Sequence, residues 1–328
     1  MSVATPTKAT PPARTITTKP RVSDQIFRGI VTAFSFSALV ILSLIAIFLL
    51  SKGFSTLREQ GLGFITHFEW VVNVDDAGVE SAHFGLQAML LGTIVISFIA
   101  LFIAVPLSVL TALFLTFYAP NAVKKILVSV IDLMAAFPSI LYGLWGFFVL
   151  MPMAEYWAKL LHKWLGWIYI FNVPQPVFTR SPFIAGIVLS VMIIPIITSV
   201  SREVFSQTPL DRVQAAYALG ATKWGMIRAV VLPFGAGGVV GGSMLGLGRA
   251  FGETVAVFSV LNIVFRTNFH ILFTQGGNVA SMIIQRWGEA GKKEIGALMA
   301  AGLVLFILTL AVNFIANAIV TRTVKSGR

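Results

Sequence analysis

Arg249 and Glu253 are the residues best placed to do chemistry, because they interrupt an apolar run that extends from residue 234 to residue 264. A charged side chain at the centre of a bilayer costs about 2.5–3.5 kcal/mol on insertion scales, so such residues commonly serve a function. A guanidinium can donate two parallel hydrogen bonds to a tetrahedral oxyanion. A carboxylate beside it could accept the proton that phosphate retains near neutral pH, and it would repel sulfate, which lacks that proton.

The same two residues also allow a structural interpretation. They are four positions apart, so on one continuous helix they would share a face and neutralise each other as an ion pair. Asp132 is a third charge in an apolar run. It lies roughly 10 Å from the start of that run, so we expect it to pair with Lys124 or Lys125 near the membrane surface.

The elements that must position these residues are transmembrane helices. Of the 328 residues, 57% are hydrophobic and only 11% are charged, against about 25% charged residues in ordinary soluble domains. The mean hydropathy is +0.87. Six apolar runs are long enough to span a bilayer of about 30 Å, which predicts an all-α, polytopic membrane protein: 27–50, 85–117, 126–151, 183–205, 234–264 and 295–320.

The distribution of basic residues predicts the orientation. Fourteen Lys and Arg residues lie in segments on one side of the six runs, and nine, among them Arg180, lie on the other. Because cytoplasmic segments carry the excess of Lys and Arg, both termini are predicted to be cytoplasmic. The net charge of +11 is therefore assigned to orientation and contact with anionic lipid, and not to nucleic acid.

The chain is expected to have four parts. Residues 1–22 are rich in Thr, Pro and basic residues and predict a disordered cytoplasmic tail. Residues 23–84 hold the first span and an outer segment, and residues 85–320 form the main membrane domain. Residues 321–328 are a cytoplasmic tail.

Small residues recur every four positions in the second and fifth runs, which predicts closely packed helix faces. They are Ala100, Ala104, Ser108 and Ala112, with Gly92 on the same stripe, and Gly238, Gly242, Gly246 and Ala250.

The cytoplasmic loop 207–233 predicts a short helix that lies outside the membrane. Thr208 could cap it, Pro209 could occupy its first turn, and Gly220 would end it. A second short helix would begin near Lys223 and stop at Leu232-Pro233. The first helix has a partly apolar face, so it should dock on a partner, on lipid or on the chain's own spans.

This loop resembles the signature of the type I ABC importer permeases. Gln214-Ala215-Ala216, Gly220, Leu232 and Pro233 match its pattern, although Gln214 stands where glutamate is common. The segments 132–146, 201–205 and 246–254 are similar to phosphate permeases of the PstC family. The resemblance implies that the loop, including Pro209, is a coupling helix that docks on an ATPase subunit, and that Arg249 and Glu253 belong to the substrate path.

The resemblance also implies partners and a location. It predicts a second permease (PstA type), two ATPase subunits (PstB type) that bind ATP and Mg²⁺, and an extracytoplasmic phosphate-binding protein (PstS type), in a prokaryotic plasma (inner) membrane. The sequence contains no phosphate-binding loop for ATP, no cysteine and no histidine pair at metal-ligand spacing, so we expect neither an enzyme nor a cofactor or metal site in this chain.

Three alternatives stay open at this point. The chain could be a permease for another oxyanion such as sulfate or molybdate, against which the Arg249 and Glu253 motif argues. It could be a secondary transporter that works alone, although no inverted repeat is visible and the loop 207–233 would lack a partner. It could also be a scaffold or sensor that does not transport.

Overall fold

The structure, a computed structural model, describes residues 22–74 and 80–326. The predicted tail 1–22 therefore lies almost wholly outside the described residues. Within the described part, the chain forms thirteen α-helices and one antiparallel β-hairpin, which are, in chain order, α1 (Val22–Gln60), α2 (Gly63–Thr66), β1 (Trp70–Val74), β2 (Glu80–Phe84), α3 (Gln87–Leu113), α4 (Asn121–Ala136), α5 (Ser139–Trp145), α6 (Met151–Leu165), α7 (Pro182–Ser206), α8 (Leu210–Ala218), α9 (Lys223–Met226), α10 (Leu232–Phe251), α11 (Val255–Val260), α12 (Val279–Trp287) and α13 (Lys292–Ser326).

The membrane spans confirm the predicted all-α, polytopic class. Among the described residues, five helices are long and apolar enough to cross a bilayer, and a sixth span is formed if α4 and the α5–α6 segment count as one broken span. The two limbs of that span are bent by 97°. The bend lies at Phe137-Pro138, where both residues have extended backbone, because a proline disfavours helical geometry in the residue before it.

The chain divides into two units, residues 1–48 and residues 49–328. In the first unit, the described residues 22–48 are helical and carry exposed apolar side chains such as Phe34, Leu39 and Ile47, as expected for a helix in lipid. The second unit holds the buried cores. The β1–β2 hairpin, which the sequence did not predict, packs there through Trp70, whose Nε1 donates a 2.8 Å hydrogen bond to Oε1 of the buried Glu294.

The small-residue faces are confirmed as helix contacts. Ala100, Ala104 and Ala112 of α3 are fully buried, and Ala100 and Ala104 pack in one core cluster with residues of α7. On α10, an added Cβ would lie 2.3 Å from Val204 Cγ2 at Gly238 and 3.1 Å from Val200 Cβ at Gly242. The valines of α7 thus fill the space that these glycines leave, which lets the two helix backbones approach closely.

Among the described residues, three helices continue into a π-helical turn. These turns follow α3 (Phe114–Tyr118), α5 (Gly146–Leu150) and α9 (Ile227–Val231). The last of them corrects a prediction. Leu232-Pro233 does not stop the second helix of the loop, since α9 continues through its π-helical turn into α10 as one candidate span from Lys223 to Phe251. Pro233 therefore lies inside a continuous span, just after the π-helical turn, and membrane helices tolerate a proline there because neighbouring groups satisfy the freed carbonyl.

The fifth apolar run also differs from its prediction. We expected one span over 234–264, but α10 ends at Phe251 and a short α11 begins only at Val255. Beyond α11 the chain is irregular, and Ile263 pairs with Gly276 in an isolated parallel bridge. The run is therefore broken between the two residues that carry its charges.

Candidate functional site

Arg249 lies two residues before the end of α10 and is half-buried. Its Nε is buried and has no hydrogen-bond partner. Among residues 22–74 and 80–326, Arg249 forms no ion pair with a carboxylate, whereas Lys159 pairs with Glu155 and Arg286 with Glu294. A guanidinium with unused donors and uncompensated charge is suited to hold an anion.

Glu253 lies outside the helix that carries Arg249, so the expectation of one helical face and an i,i+4 ion pair is wrong. The side chain is buried, and its Oε1 accepts a 3.0 Å hydrogen bond from the backbone N–H of Ala256, in the first turn of α11. Its backbone carbonyl accepts a 2.6 Å bond from Nδ2 of Asn278. These bonds stabilise a chain break at residues 252–254 in place of continuous helix.

Asn278 is a residue of this site that our sequence reasoning missed. Besides donating a hydrogen bond to the Glu253 carbonyl, Asn278 caps α12, because its Oδ1 accepts a 2.9 Å bond from the N–H of Ser281. The Thr93 hydroxyl of α3 accepts a 3.0 Å bond from the N–H of Val279. The signal was present in the sequence, since an asparagine directly before an apolar segment is a typical helix N-cap.

Tyr142 connects the other broken span to Arg249. Its hydroxyl donates a 2.7 Å hydrogen bond to the Met134 carbonyl, across the Phe137-Pro138 bend. Its ring is buried in the same core cluster as Ala250, the residue that follows Arg249 in the sequence. The breaks at 137–138 and 252–254 therefore border one buried region, next to Arg249 and Glu253.

The break regions are packed against each other through glycine. A Cβ at Gly143 of α5 would lie 2.9 Å from Ala256 Cα and from Ser259 Oγ of α11. A Cβ at Gly146, at the start of the following π-helical turn, would lie 3.3 Å from Val260 Cγ2. The segment from α5 into its π-helical turn therefore lies alongside α11 over the whole length of that short helix.

Asp132 does not behave as expected. It is exposed on α4, and within the described part of the chain it forms an ion pair with neither Lys124 nor Lys125. It lies seven residues past Lys125 on the same helix, which places the two Cα atoms about 10 Å apart along the axis, too far for the side chains to meet easily.

The short helix predicted in the 207–233 loop is present as α8. Gly220 has φ = +80°, and the N–H groups of Gly220 and Ala221 donate to the carbonyls of Tyr217 and Ala216 at 2.9 and 3.0 Å. This pattern is a Schellman motif, as expected for a helix that ends before glycine. Thr208, however, does not cap α8, because its hydroxyl donates to the Phe205 carbonyl of α7 at 2.9 Å.

The two faces of α8 have different surroundings. Val213 and Ala216 pack on a buried cluster that includes Phe205, Ile227 and Val231, so part of the apolar face docks on the chain's own spans. The rest of the loop's candidate residues are exposed or half-buried. The half-buried residue is Leu232, and the exposed residues are Pro209, Gln214, Ala215, Gly220 and Pro233. Exposed apolar side chains flank them at Leu210, Leu219 and Trp224.

The start of α9 is attached to the end of the second span. The Thr222 side chain caps α9 by accepting a 3.1 Å bond from the N–H of Gly225, which confirms the predicted start at Lys223. The Lys223 Nζ lies 4.4 Å from the centroid of the Tyr118 ring, in the π-helical turn after α3. The loop is thus connected to two spans, α3 and α10.

Known proteins resemble this chain over most of its length. Residues 104–325 match the family described as binding-protein-dependent transport system inner membrane component. The chain is 43% identical over 302 residues to phosphate transport system permease protein PstC 2 of Mycobacterium tuberculosis, an alignment that covers 91% of this chain and 92% of the relative. It is 35% identical over 310 residues to the protein PstC of Pasteurella multocida, with 93% of each chain covered.

A solved structure with a similar fold is that of a bacterial alginate ABC transporter in complex with a periplasmic protein that holds an alginate pentasaccharide. One of its chains superposes with a TM-score of 0.59 at 16% sequence identity, and the match covers 93% of this chain and 99% of that chain. At this identity the likeness concerns the fold alone.

Proposed function

Because the chain belongs to the binding-protein-dependent transport system inner membrane components, and within them to the PstC permeases, we propose that it forms the phosphate path of an ATP-driven importer. The chain is a transport subunit and not an enzyme. ATPase subunits and a binding protein complete a transport system of this kind. We assign those roles to two PstB-type ATPases and a PstS-type phosphate-binding protein, beside a PstA-type second permease.

The observation that carries this proposal is the Arg249 guanidinium, which is half-buried, lacks a carboxylate partner among the described residues and lies beside two chain breaks. Broken membrane helices free backbone groups and commonly surround substrate sites in transporters. A guanidinium at such a place matches a tetrahedral oxyanion in charge and in geometry. Glu253 adds a buried carboxylate close by in sequence, which would favour a protonated anion over sulfate.

In the proposed mechanism, ATP closes the ATPase subunits, which move α8, and the spans then alternate between outward-facing and inward-facing states. Alternating access needs two states that differ by a few kcal/mol and are biased by ATP. The connections of the 207–233 loop to α3 and α10 support this route, since Arg249 itself lies near the end of α10. We further propose that the chain lies in a prokaryotic inner membrane with both termini in the cytoplasm.

The test is uptake of labelled phosphate at low micromolar concentration in a host without its own high-affinity phosphate importer. The chain is co-expressed with the three kinds of partner subunit, and unlabelled sulfate is added as competitor. We expect ATP-dependent uptake that sulfate does not inhibit. The Arg249→Gln variant should assemble normally and lose uptake.

Two outcomes would contradict the proposal in different ways. An assembled wild-type complex that imports no phosphate would remove phosphate as substrate, and uptake of sulfate or molybdate by the same complex would establish the other oxyanion. Normal phosphate uptake by the Arg249→Gln variant would instead remove Arg249 from the path and leave the substrate assignment intact.

A further inference from the structure

Arg180 has an unusual backbone conformation. Among the residues that the structure describes, it is the one residue other than glycine with positive φ, at 51°. A side chain with a Cβ is disfavoured in this left-handed region, and residues held there cluster at functional sites. Arg180 lies directly before Ser181, the N-cap of α7, in a position that glycine could occupy without this cost.

The Arg180 guanidinium is held by neutral groups. Its Nη1 donates a hydrogen bond to Oδ1 of Asn262, and its Cζ lies 5.1 Å from the centroid of the Phe147 ring. Neither contact cancels its charge. Among the described residues, Arg180 forms no ion pair with a carboxylate, and four of its five N–H donors are not used by Asn262.

The location of Arg180 relates it to the proposed path. Asn262 lies two residues past the end of α11, and Glu253 lies two residues before its start. Phe147 belongs to the π-helical turn after α5, which lies alongside α11. Since α11 has six residues and rises about 9 Å, Arg180 is at one end of the paired α5 and α11 segments, and Arg249 with Tyr142 is at the other.

We propose that Arg180 is an outer anion-binding residue of the path, which receives a tetrahedral oxyanion before it reaches Arg249. The charge distribution predicts that Arg180 lies on the extracytoplasmic side, so a substrate released there meets it first. The Asn262 and Phe147 contacts orient the guanidinium in advance, which lowers the entropy lost on binding. This inference rests on the proposed function and adds a second anion-binding residue to the path.

The experiment compares phosphate uptake by complexes that carry wild type, Arg180→Gln, Arg180→Lys or Arg180→Gly, reconstituted with all partner subunits and the phosphate-loaded binding protein. Loss of one charge-assisted hydrogen-bonding group should lower the uptake rate about tenfold in Arg180→Gln. Arg180→Lys should recover part of the rate, because it keeps the charge without the planar fork. Arg180→Gly should be as slow as Arg180→Gln although it relieves the backbone, which a role confined to backbone strain would not produce.

Lys163→Gln is the matched control, because it removes one positive charge from an exposed residue on the same predicted side, and it should transport normally. Wild-type uptake rates in Arg180→Gln, or in Arg180→Gly alone, would overturn this inference and leave the proposed function standing. Weaker capture of the phosphate-loaded binding protein by the Arg180→Gln complex would also overturn it, by placing Arg180 in a docking interface. A wild-type complex without phosphate uptake would overturn the proposed function first, and this inference with it.

Discussion

At the scale of single residues, the two charges of the fifth apolar run have separate surroundings. Arg249 lies near the end of α10 and its Nε has no hydrogen-bond partner, whereas one carboxylate oxygen and the backbone carbonyl of Glu253 accept hydrogen bonds that shape the break after that helix. An ion pair within one helix would have cancelled the charge of Arg249. The break leaves the charge of Arg249 available to bind an anion. It also gives Glu253 a structural role, in addition to its proposed role in favouring a protonated anion.

Substitutions at Glu253 can separate these two tasks. Glu253→Gln keeps an oxygen that can accept from Ala256 N–H, so we expect the melting temperature of the purified chain to stay near wild type while uptake falls at least about tenfold through loss of the charge. Glu253→Ala removes the acceptor as well, and should lose about 1 kcal/mol of stability, as other helix caps do. Thermal unfolding in detergent and uptake by the assembled complex measure the two effects.

Full uptake by the Glu253→Gln variant would mean that Glu253 serves the fold alone and that the discrimination against sulfate lies elsewhere. Equal melting temperatures for Glu253→Ala and wild type would instead remove its role as a cap. The two variants differ in the acceptor oxygen, so each result addresses one task.

At the scale of elements, the contact between α7 and α10 depends on glycine. Gly238, Gly242 and Gly246 face Val204, Val200 and Ile197, which makes a row of small residues beside a row of large ones. Membrane helices cannot use the hydrophobic effect to associate with each other, so close packing of this kind must supply much of their attraction. The contact also positions Arg249, which is only a few residues further along α10.

Gly238→Ala should destabilise this contact. The new Cβ would lie 2.3 Å from Val204 Cγ2 and 2.8 Å from Val204 Cβ, and a β-branched side chain cannot easily turn away. Overpacking of this kind costs about 1–3 kcal/mol, so we expect a lower melting temperature for the purified chain. Gly241→Ala is the control on the same helix, since nothing lies within 4 Å of its added Cβ. Equal melting temperatures for the two variants would show that the α7–α10 packing differs from that described.

At the scale of the whole molecule, the 207–233 loop is the surface that we expect to join the chain to its ATPase. One side of α8 is occupied by the chain's own core cluster, and the other side, with Gln214 and Ala215, is exposed. Exposed apolar residues near a short helix mark an interaction surface when they occur together. Leu210, at the start of α8, Leu219, just past its end, and Trp224 of α9 are exposed apolar residues of this loop, and Leu219 is 89% exposed.

Ala215→Asp tests this surface. The residue is exposed, so the chain should fold and insert as wild type does, but a charge in the interface should prevent co-purification of the ATPase subunits and abolish uptake. Ala122→Asp makes the same change at an exposed residue in the first turn of α4, on the same predicted side, and should leave both unchanged. ATPase that still co-purifies with the Ala215→Asp chain at wild-type yield would place the coupling surface elsewhere.

The sequence by itself determined what depends on composition and on local chemistry. Long apolar runs predicted the spans, since a bilayer requires about 20 apolar residues per helix. Gly220 predicted the end of α8, and Gly238 and Gly242 predicted a packing face, because a positive φ and a close helix contact each favour a residue without a side chain. The family signature in 207–233 predicted the class of transporter, which the relatives confirm.

Only the tertiary structure decided where the spans break and which groups meet there. The break after Phe251 depends on Asn278 and Ala256 for its hydrogen bonds, and Asn278 lies 25 residues from Glu253 in the sequence. Pairing of Asp132 with Lys124 or Lys125 was a local expectation that the helix geometry did not support. Arg180 was one basic residue among nine on its predicted side until its backbone, Asn262 and Phe147 distinguished it. The bonds from Asn278 to Glu253 and from Arg180 to Asn262 join distant segments, so no local pattern can predict them.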